Sequence, residues 1–575
     1  MITETLRNQV FLASPCDTIR TVIQRMATEK ASCYGMAVII DDSKCVKGVF
    51  NNGDALRLMA SGADLSSPVE QVMVQNPVMV QESLSRDEMI QSVRTQMQQR
   101  GATKTYVKYL IVTDAAGELR RVDDYVQLIS NKQDQTRNVA VYGMGFVGLT
   151  LAAALADAGH RVVGVDVNER LIRSLNVGDV HVYEPRLSDM VRMSLHHQTL
   201  RFSERIETKD NEVYIIAVGT PLGASGKADL SALERVTTTI AALIKPGDYV
   251  MVRSTVPVGT TRNVILPLLE KLSGMRAGED FVLSFTPERT IEGKTMSELR
   301  ELPQIVSGAT SRCRQLSSAF WSTLARSVIQ VEAFEAGEMI KLINNSWRDL
   351  SFAYANAVAD LCDRYNLNAF HVIQAANEGY PRNAVSTPSP GVGGYCLTKD
   401  PYLFGTSFPD GWHAKLAHIG REVNESAAFH PVRICEEYAV RTGVAFSNMT
   451  ITVIGIAFKG WPATNDIRGS SALQFCREMK NRGAKLLAWD AVISSDVLEE
   501  QNLIPVDYET GCREADAIVI LNNHPENVSE DFLLYCEDKA VLIYDGWNQL
   551  SVREAENIPN VTYATAGYLT NRSRI

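Results

Sequence analysis

A short apolar run, Asn138-Val-Ala-Val-Tyr142, breaks into Gly143-Met-Gly145-Phe146-Val147-Gly148 and passes without a spacer into Leu149-Thr-Leu-Ala-Ala-Ala-Leu-Ala. Between a strand and a helix, glycines at this spacing supply a tight turn, close approach of the backbone to a pyrophosphate, and a helix N-terminus facing the phosphates. A Gly-rich bend in some other α/β fold is the alternative, and the next strand bears on the choice. Arg161-Val-Val-Gly-Val165 ends in Asp166, eighteen residues past Gly148. A carboxylate there accepts hydrogen bonds from both ribose hydroxyls and repels a 2′-phosphate, which selects NAD over NADP. Gly143, Gly145, Phe146, Val147, Gly148 and Asp166 are thus the expected cofactor contacts. Strands at Glu212-Val-Tyr-Ile-Ile-Ala-Val218 and Asp248-Tyr-Val-Met-Val252 continue the alternation of a parallel sheet. They put Gly219-Thr220-Pro221 and Ser254-Thr255-Val-Pro-Val-Gly259 beyond strand carboxyl ends, where such sheets bind ligands. Thr220 and Thr255 join the cofactor set.

Cys396 stands in Ser389-Pro-Gly-Val-Gly-Gly-Tyr-Cys-Leu-Thr-Lys-Asp-Pro401, with Asp400 four residues on. Gly391, Gly393 and Gly394 can take positive φ and admit a ligand close to the main chain. A cysteine inside a cell is also commonly a small buried hydrophobe, and the thiol alone leaves both readings open. Pro287-Glu288-Arg-Thr-Ile-Glu292-Gly293 brings two carboxylates to a sheet edge, as acid/base groups or as solvated surface. In Glu338-Met-Ile-Lys341-Leu-Ile-Asn344-Asn345, Lys341 and Asn345 are i and i+4 on one face of a long helix. Flanking apolar residues turn that face inward, where an unpaired lysine is costly, so a functional lysine or a subunit interface is expected. From Asn448 a second strand-turn-helix unit carries Lys459 and Arg468 beside a turn, suited to phosphates or facing solvent.

A chain of 575 residues implies three or four domains. No run approaches the roughly 18 to 20 apolar residues that span a bilayer, and no secretory signal is visible at Met1-Ile-Thr-Glu-Thr-Leu-Arg7. A cytoplasmic protein is expected. Ten cysteines contain no Cys-x-x-Cys pair, so neither a disulfide framework nor a metal site is indicated, and a net charge of -10 argues against nucleic acid or an anionic membrane as partner. Residues 10–129 read as two similar units, each a helix, an apolar strand (Gly35–Ile40, Tyr109–Thr113), a turn, a return strand and a second helix opened by Gly53-Asp54 or Asp123-Asp124. A polar linker, Asn131–Arg137, follows. The expected division is 1–133, 137–330, 331–440 and 441–575.

The N-terminal repeat resembles a tandem CBS-domain pair, which implies a regulatory module with a possible adenine nucleotide. Asp54 and Asp124 are the matching positions, with Asn52 where Ser or Thr is usual. The rest of the chain resembles the UDP-glucose/GDP-mannose dehydrogenase family over about residues 137 to 570. Gly143–Gly148, Val182-Tyr-Glu-Pro185, Gly219–Pro221, Ser254–Gly259, Pro287-Glu288, Lys341–Asn345, Gly393–Asp400, Phe458-Lys459 and Asp466-Ile-Arg468 carry the likeness. It implies an α/β protein with two Rossmann-like parallel-sheet domains joined by a central helical domain that dimerises. The implied activity is oxidation of C6 of a UDP-sugar from alcohol to acid, reducing two NAD, for surface polysaccharide synthesis. Cys396 would form a thiohemiacetal and then a thioester, Lys341 and Asn345 would stabilise the oxyanion, and Asp400 and Thr255 would position water. Glu288 and Glu292 would move protons, Gly393, Gly394 and Tyr395 would line the sugar pocket, and Lys459 and Arg468 would contact the diphosphate or an adjoining subunit. Pro287-Glu288-Arg289 is similar to the UDP-N-acetylhexosamine branch, so UDP-GlcNAc or UDP-ManNAc is the expected substrate; Glu292-Gly293 resembles the UDP-glucose branch, which makes UDP-glucose the alternative. From another class stands a nucleotide-sensing regulatory protein on a dehydrogenase scaffold.

Overall fold

The computed structural model describes residues 10–28, 35–84, 86–100, 107, 109–124, 136–206, 209–223, 226–382, 384–409 and 411–572. Two compact units divide the chain, residues 1–136 with 320–328 and residues 137–319 with 329–575. In the first, β1 (Phe11–Ala13), β2 (Met36–Ile40), β3 (Val46–Asn51) and β4 (Val74–Gln75) form one sheet. β5 (Met79–Gln81), β6 (Tyr109–Thr113) and β7 (Leu119–Asp124) form another. The repeat is visible in the two hairpins. Both are antiparallel with a register shift at the same place, Ile39/Ile40 and Val112/Thr113. Each turn is tied by an aspartate: Asp41 Oδ1 accepts from the amide of Cys45 at 2.9 Å, and Asp114 Oδ1 from that of Glu118 at 2.9 Å. Val38 and Ile40 pack with Ile111, Leu119 and Val122. Helix α1 (Asn52–Ala60) opens with a capping box between Asn51 and Asp54, and Asp54 also pairs with Arg57. The helix expected after Asp124 lies outside the described residues.

In the second unit, β8 (Asn138–Tyr142), β9 (Arg161–Val165), β10 (Leu200–Ser203), β11 (Val213–Ile216), β12 (Tyr249–Val252) and β13 (Val282–Phe285) are parallel. Their order is β10-β9-β8-β11-β12-β13, with β14 (Gln304–Gly308) antiparallel on β13. Residues 139–141 and 213–216 are wholly buried, as strands covered on both faces must be. Helix α2 (Phe146–Asp157) follows the Gly-rich turn and is buried from Gly148 to Ala156, which accounts for its apolar composition all round.

Helix α3 (Phe334–Tyr365), 32 residues long, ends at Asn366 in the left-handed region. α4 (Asp400–Thr406) and α5 (Gly411–Ala427) pack against it. Its inward stripe is polar: Glu338, Lys341, Asn345 and Asp349 are all buried. Its outward stripe is apolar, with Ile343, Trp347, Tyr354, Leu361 and Tyr365 exposed, and α5 likewise exposes Trp412, Leu416 and Ile419. Two helices follow one another here, α5 and α6 (His430–Thr442), the second started by Pro431 in its first turn.

A second sheet completes the unit: β15 (Thr450–Ile454), β16 (Lys485–Trp489), β17 (Ile504–Pro505), β18 (Ala517–Ile520), β19 (Val541–Asp545) and β20 (Val561–Thr565). It is parallel in the order β17-β16-β15-β18-β19-β20, with β21 (Tyr568–Leu569) antiparallel at its edge. Helix α7 (Ser471–Asn481) follows β15 after the long segment 455–470. The fold class is therefore as expected, two parallel-sheet domains joined by helices. No helix among the described residues is long and apolar enough to cross a membrane.

Candidate active site

The first turn leaves no room for side chains at two of its glycines. Gly143 has φ +94°, and a Cβ there would lie 2.9 Å from the carbonyl oxygen of Ala217. At Gly148 a Cβ would sit 1.7 Å from the carbonyl oxygen of Gly143, an impossible distance that locks helix α2 onto the turn. Gly145 caps α2 and has no atom within 4 Å of where a Cβ would be, so its backbone faces open space at the helix N-terminus. Asp166, half-buried after β9, accepts from the amide of Met144 at 2.8 Å and from that of Asn168 at 3.0 Å. A bare amide cradle with a carboxylate held at its rim fits the pyrophosphate and ribose of NAD.

A cavity of about 260 Å³ opens beside this turn. Gly145, Phe146, Val147, Thr220, Thr255, Glu288 and Glu292 reach it from the first sheet domain, Lys341 from α3, Tyr395 and Cys396 from the cysteine loop, and Arg468 from the segment 455–470. Thr220 Oγ1 donates to the carbonyl of Thr255, tying the loops after β11 and β12 together. Gly143, Gly148, Asp166, Asn345, Asp400, Gly393, Gly394 and Lys459 do not line it. Gly393 and Gly394 serve packing instead. A Cβ on Gly393 would meet the carbonyl oxygen of Gly469 at 2.5 Å, and one on Gly394 the ring of Phe458 at 2.7 Å.

Around the thiol the charges alternate. Asp400, fully enclosed at the start of α4, accepts from Asn345 Nδ2 at 2.6 Å on one oxygen and from Lys399 Nζ at 2.8 Å on the other. It thus stands behind the cavity wall and orients two groups instead of touching the space itself. Lys399, which does line the cavity, has its Nζ 5.4 Å from the centre of the Tyr395 ring, whose other cation is Arg468 at 4.8 Å. Among the described residues Lys341 Nζ has no hydrogen-bond or ion-pair partner, leaving its charge directed at the cavity. Cys396 is open to the cavity by surface area yet surrounded by protein; that desolvation pushes its thiol pKa up, and Lys341 and Lys399 pull it down against Asp400 and Glu292. Sequence reading missed Lys399, although a cation three residues past the cysteine was the available signal.

The two carboxylates differ sharply. Glu288 is buried, and burial alone would raise its pKa, but Arg253 carries it below the usual range. The fully enclosed Arg253 donates to Glu288 Oε2 from Nη2 at 2.6 Å and from Nε at 3.1 Å. The other oxygen takes the amides of Arg289 at 2.7 Å and Thr290 at 2.8 Å. Glu292 is raised, first by burial and then by neighbouring Asp466, with Thr464, Lys459 and Arg468 opposing. Lys459 Nζ donates to the backbone carbonyl of Glu292 at 2.6 Å. Arg253, missed from sequence, precedes Ser254-Thr255 directly but finds its partner 35 residues on.

Buried polar groups hold these loops in place. Glu338 on α3 accepts from the amides of Gly259 and Thr261 at 2.6 and 2.7 Å, fixing the loop after β12. Glu184 accepts from Gly293 at 2.6 Å. Asp349 receives Arg421 Nη1 at 2.7 Å, Asn356 Nδ2 reaches Asn424 at 3.0 Å, and Asn356 Oδ1 takes the amide of Ser389 at 2.8 Å, so α3 and α5 grip the start of the cysteine loop. No cluster of metal-ligating side chains occurs among the described residues.

Comparison with known proteins agrees with this layout. The UDP-glucose/GDP-mannose dehydrogenase family matches by its NAD binding domain over residues 137–325, its central domain over 335–426 and its UDP binding domain over 452–552. UDP-N-acetyl-D-mannosamine dehydrogenase of Pyrococcus horikoshii is 34% identical over 391 residues, 68% of this chain and 90% of that protein. NDP-N-acetyl-D-galactosaminuronic acid dehydrogenase of Ralstonia solanacearum is 30% identical over 395 residues, 68% of this chain and 91% of its own. The solved UDP-D-ManNAc dehydrogenase from P. horikoshii superposes with a TM-score of 0.67 at 32% identity, covering 75% of this chain and 99% of the other. The chain belongs to the UDP-glucose/GDP-mannose dehydrogenase family and is an NAD-dependent nucleotide-sugar dehydrogenase.

Proposed function

We propose that the enzyme oxidises C6 of UDP-N-acetyl-D-mannosamine from alcohol to carboxylate in two steps at Cys396. The observation that carries this is the convergence of Cys396, Lys341, Lys399 and Glu292 on one cavity beside the NAD turn; the names of the relatives support the sugar. Gly143–Gly148 and Asp166 would hold NAD, which when bound accepts the hydride lost from C6 in each oxidation. The Cys396 thiolate adds to the C6 aldehyde, forming a C–S bond while the carbonyl electron pair moves onto oxygen. Lys341 faces that oxyanion, an electrostatic task for a fixed cation without a counter-ion of its own. Loss of the C6 hydride collapses this adduct to a thioester; water then attacks its carbon near Thr255 and gives up a proton, the C–S bond breaks, and sulfur leaves as thiolate.

Glu292, its pKa raised by burial, is the carboxyl suited to proton movement; Glu288, held below the usual range by Arg253, is suited to fixing charge beside Lys341. Asn345 and Asp400 set Lys399 and the base of the loop. Arg468 and Lys459 would take the diphosphate, and Tyr395 the sugar. We assign regulatory, cofactor, helical and UDP-binding roles to 1–133, 137–330, 331–440 and 441–575 in turn, in a cytoplasmic homo-oligomer built on the exposed apolar stripes of α3 and α5. An adenine nucleotide is assigned to the cavity of about 530 Å³ in the first unit, walled by Asn51, Asn52 and Tyr109.

A panel of UDP-sugars with purified enzyme tests the reading. UDP-N-acetyl-D-mannosamine should give two NADH per sugar and a uronic acid. Cys396→Ser should lower acid formation by on the order of a thousandfold with the fold intact. One NADH per sugar with a stable aldehyde, or a near-normal Ser variant, defeats it.

A further inference from the structure

The carboxyl of Glu292 is hydrogen-bonded to the C-terminal sheet domain by one hydroxyl. Thr464, 2% exposed, places Oγ1 3.0 Å from Glu292 Oε2 and 3.2 Å from the backbone nitrogen of Asp466. The amide of Asp466 can only donate, so Oγ1 accepts from it and the hydroxyl hydrogen still needs an acceptor. Glu292 Oε2 is the acceptor in reach. The direction of the bond follows: Thr464 donates to Oε2, and a proton carried by Glu292 belongs on Oε1, the oxygen 4.0 Å from Arg468 Nη2. Arg468 and Cys396 line the same cavity.

The backbone is clasped as firmly as the carboxyl. Lys459 Nζ holds the carbonyl of Glu292, Asn465 Oδ1 takes the amide of Tyr183 at 3.1 Å, and Pro462 and Ala463 fill the space that a side chain on Gly293 would need. The charged groups around the Glu292 carboxyl are Asp466, Lys459 and Arg468 from the segment 455–470 and Cys396 from the cysteine loop. Arg468 comes no nearer than 4.0 Å, on the Oε1 side, and the others act across space; among the described residues only the Thr464 hydroxyl distinguishes one oxygen from the other by a hydrogen bond.

We infer that Thr464 is a positioning residue for this reaction, fixing Glu292 from the UDP-binding side so that Oε1 alone exchanges protons with the cavity. This rests on the proposed reading of Glu292 as the proton-handling carboxyl. A hydrogen bond to a carboxylate favours its charged form, so removing it raises the pKa of Glu292.

The test uses full-length enzyme, NAD and UDP-N-acetyl-D-mannosamine, with kcat and KM measured from pH 6 to 10 for wild type, T464V, T464S and E292Q. T464V should lower kcat about tenfold with KM within about twofold, and should move to higher pH the limb of the kcat profile that E292Q abolishes. T464S, which keeps the hydroxyl, should restore both. Should T464V fold poorly by circular dichroism, T464A carries the same expectation. If E292Q keeps the wild-type kcat and limb, the reading of Glu292 fails. If E292Q is inactive while T464V leaves the limb in place, or T464S behaves as T464V does, Thr464 has no positioning role.

Discussion

The two parallel sheets share a strand order and differ at one turn. After β8, the turn Gly143–Gly145 leads at once into α2; after β15, the chain runs through 455–470 before α7 begins. Both turns are held by an aspartate at the end of the neighbouring strand, and the two aspartates are spent differently. Asp166 holds the amides of Met144 and Asn168 and stays half-exposed at the rim. Asp490, half-buried likewise, takes two amides on each oxygen where Asp166 takes one: Ile456 and Ala457 on Oδ2, Val492 and Ile493 on Oδ1, at 2.6 to 3.0 Å. The short turn leaves a phosphate cradle open. The long one gives up that cradle and becomes an arm bearing Lys459, Thr464, Asp466 and Arg468 toward the other domain's cavity. One topology thus serves as cofactor holder or as reach, according to the length of its first crossover.

The largest effect expected from this contrast is at Gly148. Gly148→Ala must displace the carbonyl of Gly143, so the Kd for NAD measured by calorimetry should rise about a hundredfold or more while UDP affinity stays within about twofold. A Kd for NAD unchanged in that variant would mean the turn is not the cradle. Next come the paired aspartates. Asp490→Asn turns an oxygen that accepts two amides into a donor, where Asp166→Asn disturbs one amide, and should cost roughly 2–4 kcal/mol in denaturant unfolding with NAD affinity unaltered. Asp166→Asn should cost under about 1 kcal/mol yet narrow the preference for NAD over NADP about tenfold. Equal stability losses in the two variants would erase the distinction.

What the sequence disclosed follows the range over which each feature acts. The turn 143–148, the spacing to Asp166, and the i, i+4 pairing of Lys341 with Asn345 are local periodicities, and the structure keeps all three. Partnerships were hidden where they join distant segments: Arg253 with Glu288, Asn345 with Asp400, Lys459 with the carbonyl of Glu292. Glu288 and Glu292 look alike in the chain and differ only because Arg253 reaches one and Asp466 the other. Gly393 and Gly394 show the opposite case. Their small size was visible, but whether a ligand or Phe458 and Gly469 needs the room depends on a domain that begins some fifty residues later.

The smallest effect sharpens the role of the arm. Burial lowers the pKa of Lys459 to about 8, partly opposed by Glu292 and Glu184. A lysine with a lowered pKa is cationic below that pH and loses its charge as pH rises through it. If Lys459 meets the diphosphate, kcat/KM for the UDP-sugar should fall several-fold between about pH 7 and pH 9 while the KM for NAD stays flat, since no such lysine sits in the first turn. Lys459→Arg keeps the charge at both pH values and should flatten that decline, even if its larger head weakens binding overall. A decline that survives in Lys459→Arg would move the titrating group elsewhere and leave Lys459 only its bond to the carbonyl of Glu292. The arm would then be a clasp between domains, with Arg468 as its one contact for phosphate.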